Sequence, residues 1–437
     1  MRPRTTQGRM RTSLAVGAAA IMAGTLLSAC GSSSSGTPTL NLYAYPEQNR
    51  PAIVQRCNQA AHGQYTIKLN ILPRTADQQR EQLVRRLAAA DHGMDILGLD
   101  VTWTAELAKA GWIREWTGAN KLQARRDTLA APLSTATIDG KLYAATNNTN
   151  VQLLWYRSDL VPNAPKTYNQ IIAEATRLKQ AGKPHYVEVT GAQYEGLVVW
   201  FNSVLAAAGG SILNKAGTRV ALGPPAVTAL DTVQRFATSA AADPSLSNTM
   251  EDQARLAVEG GTAAMEINWP FVYASMATDK PDMLKNFKWA PIPGITGTGR
   301  ATIGGENYAV SKFSDHPDMA FKAALCLRSP ENQKFAAIKD GVPPTIESLY
   351  HDNTGLDPNK KVDAKTNPSM ATAYPMRDTI LAEIKNAVSR PVTATYQNVS
   401  TVTSATLSPP SSINPPSTER TLRAQISDAL QSKGVLP

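Results

Sequence analysis

The chain has 437 residues, enough for two to four domains, and its 42% hydrophobic and 18% charged content describes a globular protein with material for a sizeable core. The formal net charge is +9, but four positives (Arg2, Arg4, Arg9 and Arg11) lie in an N-terminal segment that contains no acid. Without the first 29 residues the surplus is 9 less 4, or +5, with no long Lys/Arg run behind it, which argues against nucleic acid as the main partner.

The first segment has the pattern of an export signal. Basic residues to Arg11 precede an apolar stretch from Leu14 to Leu27, followed by small residues. The apolar stretch falls short of the roughly 20 residues that span a bilayer stably. It ends in Leu27-Ser28-Ala29-Cys30-Gly31, which resembles a bacterial lipobox. That resemblance implies a signal peptide over residues 1–29, a lipid on the Cys30 thiol, a flexible Ser/Gly-rich tether over residues 30–38, and residence on the extracytoplasmic face of the cell membrane. No later segment is long and apolar enough to span a membrane. Cys57 and Cys326 remain in the mature chain. In an oxidising compartment an even pair suggests one disulfide, with two buried thiols as the alternative.

From Leu40 strands and helices alternate. Leu40–Tyr45 reads as a strand, and Pro51 can open a helix running to about Ala61. Tyr65–Leu72 alternates like a half-buried strand, and Asp77–Asp91 places Leu83, Val84, Leu87 and Ala88 on one helical face. Met94–Leu99 is a short apolar strand that delivers Asp100 at its carboxyl end, before a helix from about Thr104 to Ala110. This order predicts a mainly parallel sheet with flanking helices, and ligands of such sheets sit outside the carboxyl ends of the strands. Next comes a polar stretch, Asn147 to Asn150, that turns into the apolar run Val151–Tyr156. This pattern suits a strand leaving a solvated cleft and entering a second core.

Beyond it the expected helices are Tyr168–Gln180, Glu195–Ala208, Pro225–Ala242 and Glu251–Glu259, with a strand at Thr262–Ile267 that ends in Asn268-Trp269-Pro270-Phe271. Pro291–Gly305 is Gly- and Thr-rich and breaks the pattern, which places a return crossing near Gly304-Gly305. Asn307–Val310 reads as a strand and His316–Leu327 as a helix carrying Cys326. A third crossing is expected within Ile338–Pro368, with helices at about Met376–Val388 and Thr418–Gln431 completing the second lobe. The Pro/Ser-rich Ser408–Ser417 reads as a surface loop.

Catalytic and metal signals are poor. There is no G-x-S-x-G, H-E-x-x-H, P-loop or C-x-x-C, and His62, His92, His185, His316 and His351 are scattered near predicted turns or helix ends. No cofactor is indicated. Carboxylates beside aromatics carry more information. Trp269 follows a strand end, and Asp100-Val-Thr-Trp103 puts an acid and a ring together. A ring can cover the C–H face of a sugar while Asp, Glu, Asn and Arg bond its hydroxyls, although a Trp at such a junction also serves as ordinary core. Two acids flanking a sugar could instead be glycosidase machinery, for which Asp100, Glu195, Glu251 and Glu266 are the candidates.

Together these features resemble the extracytoplasmic solute-binding proteins of ABC importers, in particular the larger sugar-binding type related to maltodextrin-binding protein. Several stretches are similar to the trehalose-binding lipoproteins of mycobacteria: Gln55-Arg-Cys-Asn58, Glu81 to Leu87, Leu99-Asp-Val-Thr-Trp-Thr-Ala-Glu106, Gln152-Leu-Leu-Trp-Tyr-Arg157, Glu195-Gly-Leu-Val-Val-Trp-Phe201, Asn268-Trp-Pro-Phe271 and Thr302-Ile-Gly-Gly305. The resemblance implies a two-lobe, periplasmic-binding-protein-like α/β fold joined by hinge crossovers. Lobe 1 would take residues 39–149 and 305–350, and lobe 2 residues 150–304 and 351–437. No catalysis is implied. The ligand would be trehalose or a related disaccharide, delivered to permease subunits coupled to a cytoplasmic ATPase. By the same resemblance Asp100, Asn150, Glu251, Trp269 and Arg390 bind ligand, Gln79, Gly304, Gly305 and Glu47 are weaker candidates, and Cys57 pairs with Cys326. Maltose-type sugars and glycerophosphodiesters are the alternatives. The family carries a longer segment between the Trp269 and Gly304 motifs than the 272–301 run here, and Val151 stands where a polar residue is common.

Overall fold

The computed structural model describes residues 36–433. The expected signal segment, Cys30 and residues 31–35 of the tether lie outside that range. The strands are β1 (Thr39–Ala44), β2 (Thr66–Ile71), β3 (Ile96–Asp100), β4 (Thr137–Ile138), β5 (Lys141–Leu142), β6 (Ala145–Asn150), β7 (Leu153–Arg157), β8 (Tyr186–Glu188), β9 (Ala263–Asn268), β10 (Phe287–Ala290) and β11 (Gly304–Val310). They build two main sheets, one in each of two lobes. The first has the order β2-β1-β3-β11-β6 and the second β10-β7-β9-β8, while β4 and β5 form a separate two-stranded ribbon.

Each main sheet contains a single reversed strand. In the first, β1 is parallel to β2 and β3, and β11 is antiparallel to both β3 and β6. In the second, β8 is parallel to β9, and β7 is antiparallel to both β9 and β10. The expectation of mainly parallel sheets therefore needs this amendment. The reversed strands β7 and β11 are the ones that follow crossings between lobes. Other strands run toward the cleft and present their carboxyl ends to it, whereas a strand entering from the cleft must run away from it.

Two apolar cores match the two sheets. One gathers Leu42, Leu83, Leu87, Leu97, Leu107 and Val310. The other gathers Leu154, Trp155, Leu197, Phe201, Ile267 and Leu422. The spacing that predicts a helix over Asp77–Asp91 is met by a helix over Ala76–Ala88, which buries Leu83 and Leu87 but leaves Ala88 exposed, and the Glu195–Ala207 helix is buried almost throughout because apolar side chains surround it. Helix Pro330–Asp340 serves both cores, Phe335 and Ala336 packing in the first and Ala337 and Ile338 in the second. The chain then turns at Gly341 in the left-handed region (φ 70°), and the Thr149 amide bonds the Pro343 carbonyl at 3.0 Å, so this crossing runs beside β6. Among the described residues no helix is long and apolar enough to cross a membrane.

Three expectations change. The helix from Pro224 stops at Ala237 rather than Ala242, because the Ser239 hydroxyl donates to the Phe236 carbonyl and accepts from the Ala241 amide, taking over backbone partners. Ser408–Ser417 is not simply a surface loop. Pro410 and Ile413 are buried, and the Asn414 side chain caps a helix that begins at Pro415, an Asn-Pro start signal hidden in loop-like composition. Strands β8 and β10 were not expected at all, since three or four residues cannot display a period.

Cys57 and Cys326 form a disulfide, with Cα atoms 5.8 Å apart across 269 residues of sequence, joining helices Arg50–Ala60 and Pro317–Leu327 of the first lobe. Closing so long a loop restricts the unfolded chain, so the double variant Cys57→Ala/Cys326→Ala should lose about 2–5 kcal/mol in urea unfolding. Ligand affinity should stay unchanged, because both cysteines lie in a helical layer of one lobe. An equal stability of variant and parent would show that the bridge contributes nothing.

Candidate functional site

Three adjacent strand ends form the floor. Asp100 ends β3, Asn150 ends β6, and Gly304 opens β11 between them. Register pairs Glu306 with Asp100 and Gly304 with Asn150. Gly305 has φ 126°, and a Cβ there would lie 2.5 Å from the Asn148 carbonyl, so glycine is required by the backbone itself. A Cβ on Gly304 would lie 3.1 Å from the Trp269 ring, so this glycine allows the half-buried indole to rest directly on the strand. Trp269 follows β9, which brings the aromatic face from the second lobe.

Arg390 closes the cleft from the other side. Its segment is aligned by a strand-like run in which Val388 donates to the Ala301 carbonyl and accepts from the Ile303 amide, both at 2.9 Å. The guanidinium donates to Glu195 at 2.5 Å and to Asp100 at 3.1 Å, and its Nε is buried without a partner. Burial alone would lower this group, but the two carboxylates hold Arg390 well above its usual range. Burial raises Glu195, opposed by Arg390. Tyr396 donates to it at 2.5 Å, and Ser400 donates to its other oxygen. Asp100 accepts in addition from the amide and hydroxyl of Thr102. Next to this pair is a small recess, partly open to solvent, lined by Val101, Thr102, Thr135, Ile303, Arg390 and Val392 among others.

Three helices direct their N-termini here, beginning at Ala76, Glu195 and Glu251. Each has an acid in its first turn (Asp77, Glu195 and Glu251), where the helix dipole favours negative charge. Glu251 is raised by burial, with Tyr194 and Trp269 beside its carboxyl group pulling the other way. The Asn150 Oδ1 is buried and unpartnered. Polar contacts between the lobes complete the rim. Gln397 donates to Asp77 at 2.7 Å, and Arg74 pairs with Asp252 at 2.9 Å on the exposed surface.

Of the residues expected from sequence, the structure brings together Asp100, Asn150, Glu251, Trp269, Gly304, Gly305 and Arg390. Gln79 is buried nearby, donating to the Arg74 carbonyl at 3.1 Å. Glu47 sits in a separate buried network. It pairs with Arg50 at 2.8 Å, Arg50 pairs with Glu306 at 2.9 Å, and Asn148 donates to Glu47 at 3.3 Å. Glu306 in turn occupies the space a Cβ of Gly98 would need, at 2.2 Å. Tyr194, Asp77, Tyr396 and Ser400 were not anticipated. Glu195 was weighed only as a glycosidase acid, although an acid opening an otherwise apolar helix is itself a signal of a buried polar role. Four of the five histidines are exposed, His185 is half-buried, and among the described residues no group of three or more His, Cys, Asp or Glu side chains could hold a metal ion.

A family model described as bacterial extracellular solute-binding protein matches residues 46–334. A probable ABC transporter-binding protein of Deinococcus radiodurans is 28% identical over 356 residues, covering 78% of this chain and 80% of that protein. Maltose-bound MalE3 of T. maritima superposes with a TM-score of 0.78 at 25% identity, covering 89% of this chain and 98% of that one. The GacH receptor of Streptomyces glaucescens, solved unliganded and with acarbose, gives 0.76 at 18% identity over 91% of this chain and all of that one, a likeness of fold.

Proposed function

The chain belongs to the bacterial extracellular solute-binding protein family, and from that membership we propose that it is the substrate-binding component of an ABC importer, capturing trehalose or a close disaccharide between its lobes. Members of the family are binding proteins and not enzymes. The observation that carries the sugar reading is the half-buried Trp269 indole lying on Gly304, with the Glu251 carboxyl group and the unpartnered Asn150 oxygen around it. An aromatic face takes sugar C–H groups, while neighbouring carboxylate and amide groups bond hydroxyls. The maltose-bound relative supports a glucoside-type ligand, and the motif resemblance to mycobacterial trehalose-binding lipoproteins favours trehalose. Lobe 1 is then residues 39–149 and 305–350, lobe 2 residues 150–304 and 351–437, and Asn150–Leu153 a hinge. Lipid on Cys30 would keep the protein on the outer face of the membrane near its permease.

The geometry disfavours a glycerophosphodiester. Arg390 lies between two carboxylates, so the trio of Asp100, Arg390 and Glu195 has no positive charge left to pair with a phosphate. Calorimetry with trehalose, maltose and glycerophosphocholine tests the reading: saturable trehalose binding without glucose release is expected. Phosphodiester binding without trehalose binding would overturn it. Trp269→Ala and Asp100→Ala should each weaken trehalose binding at least 100-fold; Trp269→Ala should leave thermal unfolding nearly unchanged, since the indole retains solvent contact, whereas Asp100→Ala should also lower it by taking a carboxylate from buried Arg390.

A further inference from the structure

We propose that Asn268 and Glu266 are positioning residues for the sugar site, a buried relay that holds Trp269 and Glu251 in fixed relation. The inference rests on the sugar reading above. Both side chains are fully buried in β9. The Asn268 amide group makes every bond its position offers. Its Nδ2 donates to the Glu251 carbonyl at 3.0 Å and to Glu266 Oε2 at 2.7 Å, and its Oδ1 accepts from the Trp269 amide at 2.9 Å. Its backbone carbonyl accepts from the Trp155 indole at 2.8 Å, and Asn268 stands opposite Leu153, the first residue of β7 after the crossing. One residue therefore connects the start of the helix carrying Glu251 and the backbone of Trp269 through its side chain, and the strand that follows the hinge through its backbone.

The orientation of this amide is determined by its surroundings. Two acceptors lie on one side and an N–H on the other, so a flipped amide would set oxygen against oxygen twice. Glu266 supplies one of those acceptors. It lies opposite Glu188 in neighbouring strands, and one oxygen of each carboxyl group is buried without a partner. Such a pair is costly to keep in a core, and packing alone would be better served by an apolar residue of similar volume. Retaining the acid makes sense where its second oxygen holds the amide.

The test separates positioning from packing. Glu266→Met should unfold at or above the parental temperature yet bind trehalose about ten-fold more weakly, whereas Glu266→Gln, which keeps an acceptor, should bind within about three-fold of the parent. Asn268→Ala should bind at least 30-fold more weakly. Amide hydrogen exchange at Trp269 provides a readout independent of any sugar: slow in the parent and in Glu266→Gln, fast in Asn268→Ala and Glu266→Met. If the parent binds none of the sugars, the sugar reading fails, and the exchange rates alone decide the relay. Unchanged Trp269 exchange in Asn268→Ala, or affinity that simply follows stability across the four proteins, would overturn the inference.

Discussion

Arg390→Met should abolish sugar binding and cost about 3–5 kcal/mol of stability at pH 7, the expected loss when one partner of a buried ion pair is removed. The guanidinium is 2% exposed and holds Glu195 in the second lobe and Asp100 in the first. Without it Glu195 keeps only the Tyr396 and Ser400 hydroxyls as donors. Its carboxyl group, already raised by burial, would then rise further. The variant's deficit should consequently shrink as pH falls toward 5, where a neutral Glu195 no longer needs the cation. Urea unfolding at pH 7 and pH 5, with calorimetry alongside, measures both effects. Binding retained within three-fold would remove Arg390 from the site, and a deficit equal at both pH values would contradict the account of Glu195.

Glu266→Gln should raise stability at pH 7 and flatten its decline with pH. Burial pushes Glu266 up to about 8, opposed by the Asn268 amide and reinforced by Glu188 and Glu259, with Arg255 acting against them. Glu188, beside Asp243, is likewise raised to about 8. The unfolded chain releases such a proton near 4.5, while the folded protein holds it to about 8. Between those values the unfolded state binds fewer protons, so stability is full below about 4.5, declines as pH rises, and levels off above about 8. Burial likewise raises Glu306, against the pull of Arg50, and raises Asp340 to about 6, which steepens the same slope. Glutamine has no proton to lose. Chemical denaturation of both proteins at pH 5, 7 and 8.5 checks the sign. A variant less stable than the parent at pH 8.5 would refute it.

The sequence by itself determined the local elements and their order. The strand–helix alternation to Asp100, the helices at Tyr168–Gln180 and Glu251–Glu259, and the polar-to-apolar switch after Asn150 were all readable, because period and capping are encoded within a few residues. Motif resemblance added the set of cleft residues. Only the tertiary structure decided what those residues do to one another. Arg390 meets Asp100 across 290 positions and Glu195 across 195, and no local pattern records such a meeting. Glu47 looks like a loop acid in sequence, but folding commits it to Arg50 and Glu306. Gly304 and Gly305 look alike as neighbours, yet one leaves room for a ring and the other satisfies a positive φ. Glu266 stands in the sequence as a candidate glycosidase acid and Asn268 as part of the Trp269 motif, but the hydrogen bond between them is seen only once the strand is folded among its partners. Secondary structure follows from contacts three or four residues apart, while charge pairing, burial and the orientation of an amide depend on segments that meet only once both lobes have formed.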